Sequence, residues 1–212
     1  MYFNNNEIIR LLRKKRNIYQ FIKDRIAFPI ICLISADQAL RQGFTPLDAE
    51  RMIYTLEYVE GKILDIGCGE NLIVRTHGQG IGVDIYPWDG ADLIVKDCAN
   101  LPFPDQDFDT VSIVAALNHM QNREKVLAEA YRLLKPNGRI LVTMINPITS
   151  FLVHRIRFNL DPDQHDRGLK ENEVLGFWKK QISNLLFDAG FTELRNKAFL
   201  FGLNRVYIGF KQ

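Results

Sequence analysis

The first 60 residues carry the spacing of apolar positions that is typical of helices. In residues 7–26, apolar side chains recur near the helical period with arginines and lysines between them, which predicts one amphipathic helix. A second helix is predicted at residues 29–43, which begin with proline and end with glycine. Thr45 is a favourable N-cap residue and Pro46 is favourable at the first helical position, so this pair predicts a third helix. Together these elements predict an N-terminal helical cap over residues 1–60.

From residue 61 onward the pattern changes to short, continuous apolar runs separated by turns. Such runs are typical of strands in a parallel sheet that is covered on both faces. The predicted strands are residues 62–66, 80–85, 92–95, 110–116, 139–145, 193–199 and 203–210. Helices are predicted at residues 123–134 and 172–189, and a turn at residues 135–138. Gly202 marks a tight reversal, so the pattern predicts an α/β fold with a mostly parallel sheet and an antiparallel C-terminal strand.

The composition is that of a globular chain of one domain. With 212 residues, 47% of them hydrophobic and 25% charged, the chain is long enough for one sizeable α/β domain but short for two. Residues 26–36 are too short to span a membrane, and no clear signal-peptide cleavage site follows them. Cys32, Cys68 and Cys98 show no C-x-x-C spacing, and the histidines show no paired ligand spacing. We therefore expect thiols in a reducing cytoplasm, with neither a disulfide frame nor a metal site.

Charge is distributed unevenly along the chain. Residues 63–120 carry two basic and nine acidic side chains, whereas residues 1–62 carry ten basic and seven acidic ones. Residues 121–212 carry fifteen basic and nine acidic side chains. An acidic central segment disfavours a polyanion and favours a cationic ligand, and no nucleic-acid reader motif is present. The basic residues between Arg10 and Arg25 are interpreted as a solvated helix face, with contact to an anionic lipid surface as the less favoured alternative.

The first predicted strand ends in a glycine turn, with the sequence ILDIGCGE at residues 63–70. Gly67 and Gly69 allow positive φ and let a ligand approach the backbone. A dinucleotide fingerprint would place a third glycine where the chain has Leu72. Asp65 would repel a pyrophosphate at the strand end and attract an ammonium group. These residues argue against a nicotinamide-dependent oxidoreductase, which stays a rival hypothesis.

Two further carboxylates follow the neighbouring strands. Asp84 stands near the end of the second predicted strand, where an acidic side chain can accept hydrogen bonds from a ribose diol. Asp97 follows the third strand and can accept from an exocyclic amino group of adenine. Parallel sheets bind ligands at the carboxyl ends of their strands. Carboxylates at three such ends predict a ligand that combines an amine, a ribose and an adenine.

This pattern resembles the class I S-adenosylmethionine (SAM)-dependent methyltransferase family. The matching segments are LDIGCG at 64–69, GVDI at 82–85, KDCANLPF at 96–103, DFDTV at 107–111 and LLKPNGR at 133–139. The resemblance implies a seven-stranded Rossmann-like sheet with SAM as the cofactor. It says little about residues 1–60 and 146–171. The chain departs from the family at Glu70-Asn71-Leu72, where a further glycine is frequent, and the short link to the second strand predicts a short first helix of the sheet.

The resemblance also implies roles for individual residues. Asp65 and the two glycines would line the methionine end of SAM, and Asp84 would hold the ribose hydroxyls. Asp97 and the backbone of Cys98 would meet adenine, while residues 115–118 would pass beneath the sulfonium. The implied cofactor-binding set is Asp65, Gly67, Cys68, Gly69, Asp84, Ile85, Asp97, Cys98, Ala115 and Asn118.

The candidate catalytic residue is His119, which follows the fourth predicted strand. Related methyltransferases often carry a histidine at this position near the methyl-transfer site, and helix capping or packing is the alternative. His154 and His165 lie in a polar stretch that is predicted to cover the substrate, with a plain surface loop as the alternative. We expect the N-terminal helices and residues 146–170 to roof the acceptor site, because they carry much of the excess positive charge.

The sequence predicts a cytoplasmic SAM-dependent methyltransferase that acts on a small-molecule or glycoconjugate acceptor. A catalytically inactive SAM-binding interaction or regulatory module is the alternative, because fold alone does not fix function. A single methyltransferase domain is predicted over residues 1–212. Its parts are a cap at 1–60, a SAM-binding core at 61–145, a substrate-side segment at 146–171, and a helix with a strand pair at 172–212.

Overall fold

The computed structural model describes residues 5–14, 16–151 and 174–212, and its centre is one seven-stranded sheet. The strands are β1 (Ile63–Ile66), β2 (Gly80–Asp84), β3 (Leu93–Ile94), β4 (Phe108–Val114), β5 (Leu134–Ile145), β6 (Thr192–Phe199) and β7 (Asn204–Phe210). Their order across the sheet is β3-β2-β1-β4-β5-β7-β6. Strands β1 to β5 pair in parallel, whereas β7 runs antiparallel to both β5 and β6. The predicted α/β class and the antiparallel C-terminal strand are confirmed.

Helices cover both faces of this sheet. They include α1 (Asn5–Arg13), α2 (Ile18–Ile26), α3 (Phe28–Ile31), α4 (Ala36–Arg41), α5 (Leu47–Leu56), α6 (Leu72–His77), α7 (Arg123–Leu133) and α8 (Lys179–Asp188). Successive side chains of β5 alternate between the faces: Ile140 packs in the core with α7 and α8, and Leu141 packs with Tyr54 of α5. Ile63 of β1 packs with Ile73 of α6 and Met52 of α5. Because the faces are covered, the edge where the parallel strands end is left for a ligand.

The predicted first helix is wrong, because the chain breaks into α1 and α2 around Arg16. The Arg16 guanidinium turns inward, where it pairs with Glu50 and lies 3.9 Å from Asp24. Both carboxylates are buried, so they need a cation inside the fold. Burial raises the pKa of Glu50, and the charge of Arg16 opposes that rise. Asn17 then starts α2, since its side chain accepts a hydrogen bond from a backbone N–H of the first turn at 2.8 Å.

The second and third predicted helices also differ from the structure. The second is two short helices, α3 and α4, because Ser35 and Gln38 form a capping box that starts α4. The third, α5, begins after Pro46, but Thr45 does not cap it. Instead the Thr45 hydroxyl donates to Asp24 at 2.6 Å, so this side chain belongs to the buried polar cluster around Arg16.

The elements of the sheet lie close to their predicted positions. The turn predicted at residues 135–138 is an irregularity within β5, where Asn137 has a φ of 63° and the register with β4 shifts. Helix α6 has six residues, which confirms the short first helix of the sheet. Helix α8 begins at Lys179 rather than at residue 172, since residues 174–178 are not helical.

Candidate functional site

The glycine turn after β1 lies at the carboxyl edge of the sheet. The backbone N–H groups of Gly67 and Cys68 donate to Val83 O, at 2.9 and 3.1 Å. Gly67 has a φ of 73°, and a Cβ there would lie 2.7 Å from Ala116 Cβ. Gly69 has a φ of 52°, and no atom lies within 4 Å of its Cβ position. The first glycine is therefore required by packing, and the second leaves the backbone open to a ligand.

Asp84 is the last residue of β2 and connects that strand to the glycine turn. Its Oδ2 accepts from the Gly69 backbone N–H and its Oδ1 from that of Tyr86, both at 2.9 Å. The residue is 5% exposed. Each carboxylate oxygen has a further lone pair, so Asp84 can still accept a hydrogen bond from a ligand hydroxyl. Ile85, which follows it, is exposed and offers an apolar surface at the same edge.

Asp65 lies within the sheet, at the third position of β1, and is 3% exposed. Its Oδ1 accepts a hydrogen bond from the Ser112 hydroxyl of β4. Burial raises the pKa of Asp65 to about 7, the Ser112 hydrogen bond opposes that rise, and the charge of Asp84 adds to it. A nearby positive charge, such as a ligand ammonium group, would favour the ionised carboxylate.

A small cavity of about 50 Å³ lies beside Asp65. It is lined by Met52, Asp65, Gly67, Cys68, Leu72, Ile73 and Val114. Met52 comes from α5 and Leu72 from α6, so the helices on this face of the sheet cover the glycine turn. Burial, together with the charges of Asp65 and Asp84, raises the pKa of the Cys68 thiol far above its ordinary value. A raised pKa favours the protonated thiol, which disfavours Cys68 as a nucleophile.

Asp97 and Cys98 follow β3 on the outer side of the same edge. Asp97 is exposed, and its Oδ1 accepts from the Ala99 backbone N–H at 2.9 Å, which closes a local turn. Cys98 belongs to the main apolar core, where burial raises the pKa of its thiol to about 12. Since the Cys98 side chain is used in packing, a ligand contact would come from its backbone.

The loop after β4 brings Ala115, Asn118 and His119 together. Ala115 has a φ of 54°, an uncommon value for a residue with a Cβ, and its N–H donates to Thr143 Oγ1 at 3.0 Å. Asn118 Nδ2 lies 3.0 Å from His119 Nε2. An amide nitrogen donates, so Nε2 of the ring is the acceptor in this arrangement. Asn118 therefore occupies a ring nitrogen that a base would use.

Sequence reasoning missed Ser112, Asn71 and Asp92. Asn71 has a φ of 57° immediately before α6, and its Nδ2 donates to Asp92 Oδ2 at 2.7 Å. The Gly82 N–H donates to the same oxygen at 2.8 Å. Asparagine tolerates the left-handed region better than most residues with a Cβ. Asn71 therefore explains how the loop turns without a further glycine, and its residue type was a signal for this conformation.

A larger cavity of about 210 Å³ lies beside β5 and β7. It is lined by Met144, Asn146, Phe177, Trp178, Lys179, Gly202, Leu203, Arg205 and Tyr207. Because β7 is antiparallel to β5, its first residues lie beside the end of β5, with Arg205 opposite Met144. The edge that carries Asp65, Asp84 and Asp97 is the acidic half of the site. The cavity with Lys179 and Arg205 is the basic half.

The roof over the acceptor that the sequence predicts, from the N-terminal helices and residues 146–170, stays a prediction. Asn146 lines the larger cavity, but among the described residues that line it, none belongs to the N-terminal helices. Helix α5 instead packs on the sheet face, where Tyr54 stacks with Phe199 at a centroid distance of 4.5 Å. His154 and His165 lie outside the described residues.

Comparison with known proteins identifies a matching domain and relatives. Residues 64–142 match the family described as “Methyltransferase domain”. A ubiquinone/menaquinone biosynthesis C-methyltransferase from Pseudoalteromonas translucida is 28% identical over 133 residues, which cover 57% of this chain and 53% of that protein. Its namesake from Bordetella avium is 50% identical over 101 residues, which cover 38% of this chain and 40% of that protein. This chain therefore spans about half the length of these curated relatives.

A comparison with solved structures finds the same fold in a known protein. A SAM-dependent methyltransferase from Thermotoga maritima matches with a TM-score of 0.61 at 21% identity, over 78% of this chain and 89% of that one. At this identity the likeness concerns the fold alone. It confirms the Rossmann-like architecture that the sequence resemblance implies.

Proposed function

We propose that this chain is a class I SAM-dependent methyltransferase that transfers a methyl group from SAM to a small-molecule acceptor, since residues 64–142 match a methyltransferase domain and the fold is that of a SAM-dependent methyltransferase. The acidic half carries this proposal, because two buried carboxylates lie on either side of the glycine turn. Asp84 accepts from the backbone of that turn, and Asp65 lines the cavity beside it. An acidic, glycine-lined edge suits an ammonium group and a ribose better than a pyrophosphate.

Two observations support the fit of SAM to these residues. Asp65 is a buried carboxyl with a raised pKa, and a ligand ammonium group would stabilise its ionised form. The open Cβ position of Gly69 allows close approach to the backbone. The proposed contacts are Asp65, Gly67, Cys68 and Gly69 with the methionine end, Asp84 with the ribose, Ile85, Asp97 and Cys98 with the adenine side, and Ala115 and Asn118 beneath the sulfonium.

The protein's own contribution is alignment and the exclusion of water. When bound, SAM supplies an electrophilic methyl group on a positively charged sulfur. Met52 and Leu72 cover the glycine turn, and the Thr143 hydroxyl fixes the backbone at the end of β4. We propose His119 as the base for an acceptor that loses a proton. For proton transfer to Nε2, the Asn118 amide must first release that nitrogen.

We propose that the acceptor binds in the basic half. Trp178 and Tyr207 offer aromatic surfaces for a ring, and Lys179 and Arg205 offer positive charge. The proposed acceptor is therefore a small molecule that combines a ring with a phosphate or carboxylate group. The two curated relatives are named for ubiquinone and menaquinone biosynthesis, which supports a small ring compound. A glycoconjugate with a charged sugar has the same chemistry and stays within the proposal.

Ligand binding and methyl transfer are tested separately. The demethylated product S-adenosylhomocysteine (SAH), NAD and NADP are compared by thermal shift at matched concentrations. We expect SAH alone to raise Tm, because a ligand that binds the native state stabilises it. A rise in Tm with NAD and none with SAH would favour the rival hypothesis of a nicotinamide-dependent oxidoreductase.

SAM with an isotopically labelled methyl group is then incubated with the protein and a cell extract. Labelled small molecules, detected by mass spectrometry, are the expected result. SAH binding without any labelled product would favour the inactive SAM-binding module.

Two broader proposals accompany this function. We propose a cytoplasmic location, which suits a chain whose three cysteines form no disulfide within the described residues. Within the same residues, no group of three His, Cys, Asp or Glu side chains could hold a metal ion. We also propose a single domain over residues 1–212, since N-terminal helices and C-terminal strands share one core around Tyr54 and Phe199.

A further inference from the structure

Helices α2 and α3 leave a row of large apolar side chains exposed. Ile18, Ile22 and Ile26 are spaced four residues apart and are 72%, 50% and 78% exposed. Ile30 and Leu33 continue the row at 52% and 62% exposure. Single exposed apolar residues are common in proteins, but neighbours at helical spacing form a patch. We name these five residues the apolar ridge.

The opposite side of the same helices is anchored in the fold. Asp24, Ala27 and Ile31 follow one another at helical spacing and are buried. Asp24 accepts hydrogen bonds from both the backbone N–H and the hydroxyl of Thr45, at 3.0 and 2.6 Å. The apolar ridge is therefore the outer surface of a fixed helix rather than part of a poorly packed core.

Positive charge accompanies the apolar ridge. Asp24 is the only acidic residue of α2 and α3, and it is buried. Arg25 adjoins the ridge on α2, and exposed Arg10 and Lys14 precede the ridge in the chain. Lys23 is also next to the ridge, and its Nζ donates to the carbonyl oxygens of Gln42 and Gly43. Apolar side chains next to basic ones match an anionic lipid surface, where apolar groups reach the acyl boundary and cations meet the headgroups.

The hairpin between β6 and β7 extends this surface. Its Phe201 is 65% exposed, and the ring centroid lies 5.2 Å from that of Phe28 in α3. The Arg25 guanidinium lies 5.0 Å from the Phe201 ring centroid. The next two residues, Gly202 and Leu203, line the cavity of the basic half. The exposed apolar surface therefore ends beside the site in which we place the acceptor.

We propose that the apolar ridge and Phe201 dock this protein on the surface of an anionic lipid bilayer. The ridge runs along its helices, as expected for helices that lie parallel to the bilayer plane. A second copy fits less well, because a twofold contact through the ridge would bring Lys23 and Arg25 towards their own counterparts. The proposal stands apart from methyl transfer and needs no substrate for its test. None of the described helices is long and apolar enough to cross a membrane.

Co-flotation with lipid vesicles measures the docking directly. We expect the protein to float with phosphatidylcholine vesicles that contain phosphatidylglycerol, and to float less with phosphatidylcholine alone. Ile26→Ser should weaken binding to the anionic vesicles by about tenfold, because it removes apolar surface from the ridge. The matched control is Phe187→Ser, since Phe187 is 69% exposed but lies on α8, on the other face of the sheet. This control should float like the wild-type protein.

A separate experiment tests how much the basic side chains contribute to vesicle binding. Lys14→Gln and added sodium chloride should both weaken binding to the anionic vesicles, because salt screens exposed charges. If vesicle binding changed with neither the phosphatidylglycerol content nor the salt concentration, docking on an anionic lipid surface would be contradicted.

Sedimentation velocity and SAH titration accompany each variant. A variant that no longer floats but still binds SAH has lost docking and not its fold, which is the expected result. The proposal is overturned if the wild-type protein does not float, or if Phe187→Ser loses as much binding as Ile26→Ser. It is also overturned if the wild-type protein is an oligomer that does not float and that Ile26→Ser converts to monomers, because the ridge is then an interface between copies.

Discussion

The acidic and basic halves share one edge of one sheet, yet they are assembled differently. In the acidic half, Asp65 of β1 and Gly69 of the turn after it belong to one continuous segment, and Asp84 of β2 closes that turn through a hydrogen bond. The basic half combines three segments that are distant in the chain. They are the end of β5, the segment before α8, which contributes Trp178, and the start of β7, which contributes Arg205. The strand ends of the acidic half each carry a short local motif that leaves a signature in the sequence, whereas single residues brought together from distant segments leave none. Substitutions in the two halves should therefore affect different ligands.

The largest expected effect concerns the proton on Asp65. Because its pKa is raised to about 7, the native protein keeps this proton at pH values where the unfolded chain has released it. The stability of the unliganded protein should therefore fall as pH rises from about 4 to about 7, by up to about 4 kcal/mol. Asp65→Asn should remove this fall, which urea unfolding across the interval measures.

Ser112→Ala is the matched variant for this titration. It keeps the carboxyl of Asp65 but removes the hydrogen bond that opposes the pKa rise, so the fall in stability should extend to higher pH. A pH profile of Asp65→Asn that equals the wild-type profile would show that Asp65 is not the titrating group.

Asp84→Ala should weaken SAH binding by about 1.5–3 kcal/mol, the range for hydrogen bonds to a charged group. It should also lower Tm, because Gly69 and Tyr86 lose the acceptor of their backbone N–H groups. Asp97→Ala is the comparison within the acidic half, since that carboxylate is exposed and accepts one backbone N–H where Asp84 accepts two. Calorimetric titration should show a smaller loss for Asp97→Ala, and an unchanged affinity of Asp84→Ala would remove this residue from the cofactor site.

Two glycines with a positive φ and an open Cβ position lie in opposite halves. Gly69 and Gly202 both have positive φ, and neither has an atom within 4 Å of its Cβ position. Alanine at either position should cost stability by about 1 kcal/mol. Gly69→Ala alone should also weaken SAH binding, by roughly tenfold, because its methyl group would enter the ligand's space. Equal SAH affinity of the two variants would contradict the proposed division of the edge.

The smallest expected effect on SAH belongs to the basic half. Arg205→Gln should leave SAH affinity unchanged and raise the KM for the labelled acceptor by up to about fivefold, the scale of one partly exposed charge contact. Arg195→Gln is the control, because Arg195 lies on the neighbouring strand β6 outside the cavity. A loss of SAH affinity in Arg205→Gln, with no change in KM, would place this arginine on the cofactor side.

The sheet could be predicted from the sequence because its signals are local. The apolar runs of β1 and β2 and the glycines after β1 lie within a few residues of the features they specify. Asp65 and Asp84 were placed at one edge by the general geometry of parallel strands. The hydrogen bond from Ser112 to Asp65 was not predictable, since it joins strands whose register is set by the whole sheet.

The N-terminal helices show where local signals fail. Periodicity favoured one helix through Arg16, but the ion pair of Arg16 with Glu50 competes with helix continuation and prevails. Thr45 has the residue type of a helix cap, yet its hydroxyl satisfies the buried Asp24 instead. These outcomes depend on tertiary burial of charges, which a spacing pattern does not contain. The basic half was missed for the same reason, because its residues meet only in the folded chain.

The contact between Phe28 and Phe201 has a consequence for how an acceptor would reach the proposed active site. It joins α3, which carries part of the apolar ridge, to the hairpin whose next residues border the larger cavity. A lipid-borne acceptor diffuses in two dimensions, and an enzyme held on the same surface meets it at a local concentration set by the bilayer rather than by the cell volume. Turnover of such an acceptor would follow its mole fraction in the membrane, so that diluting it with inert lipid slows the reaction at a constant total amount of acceptor.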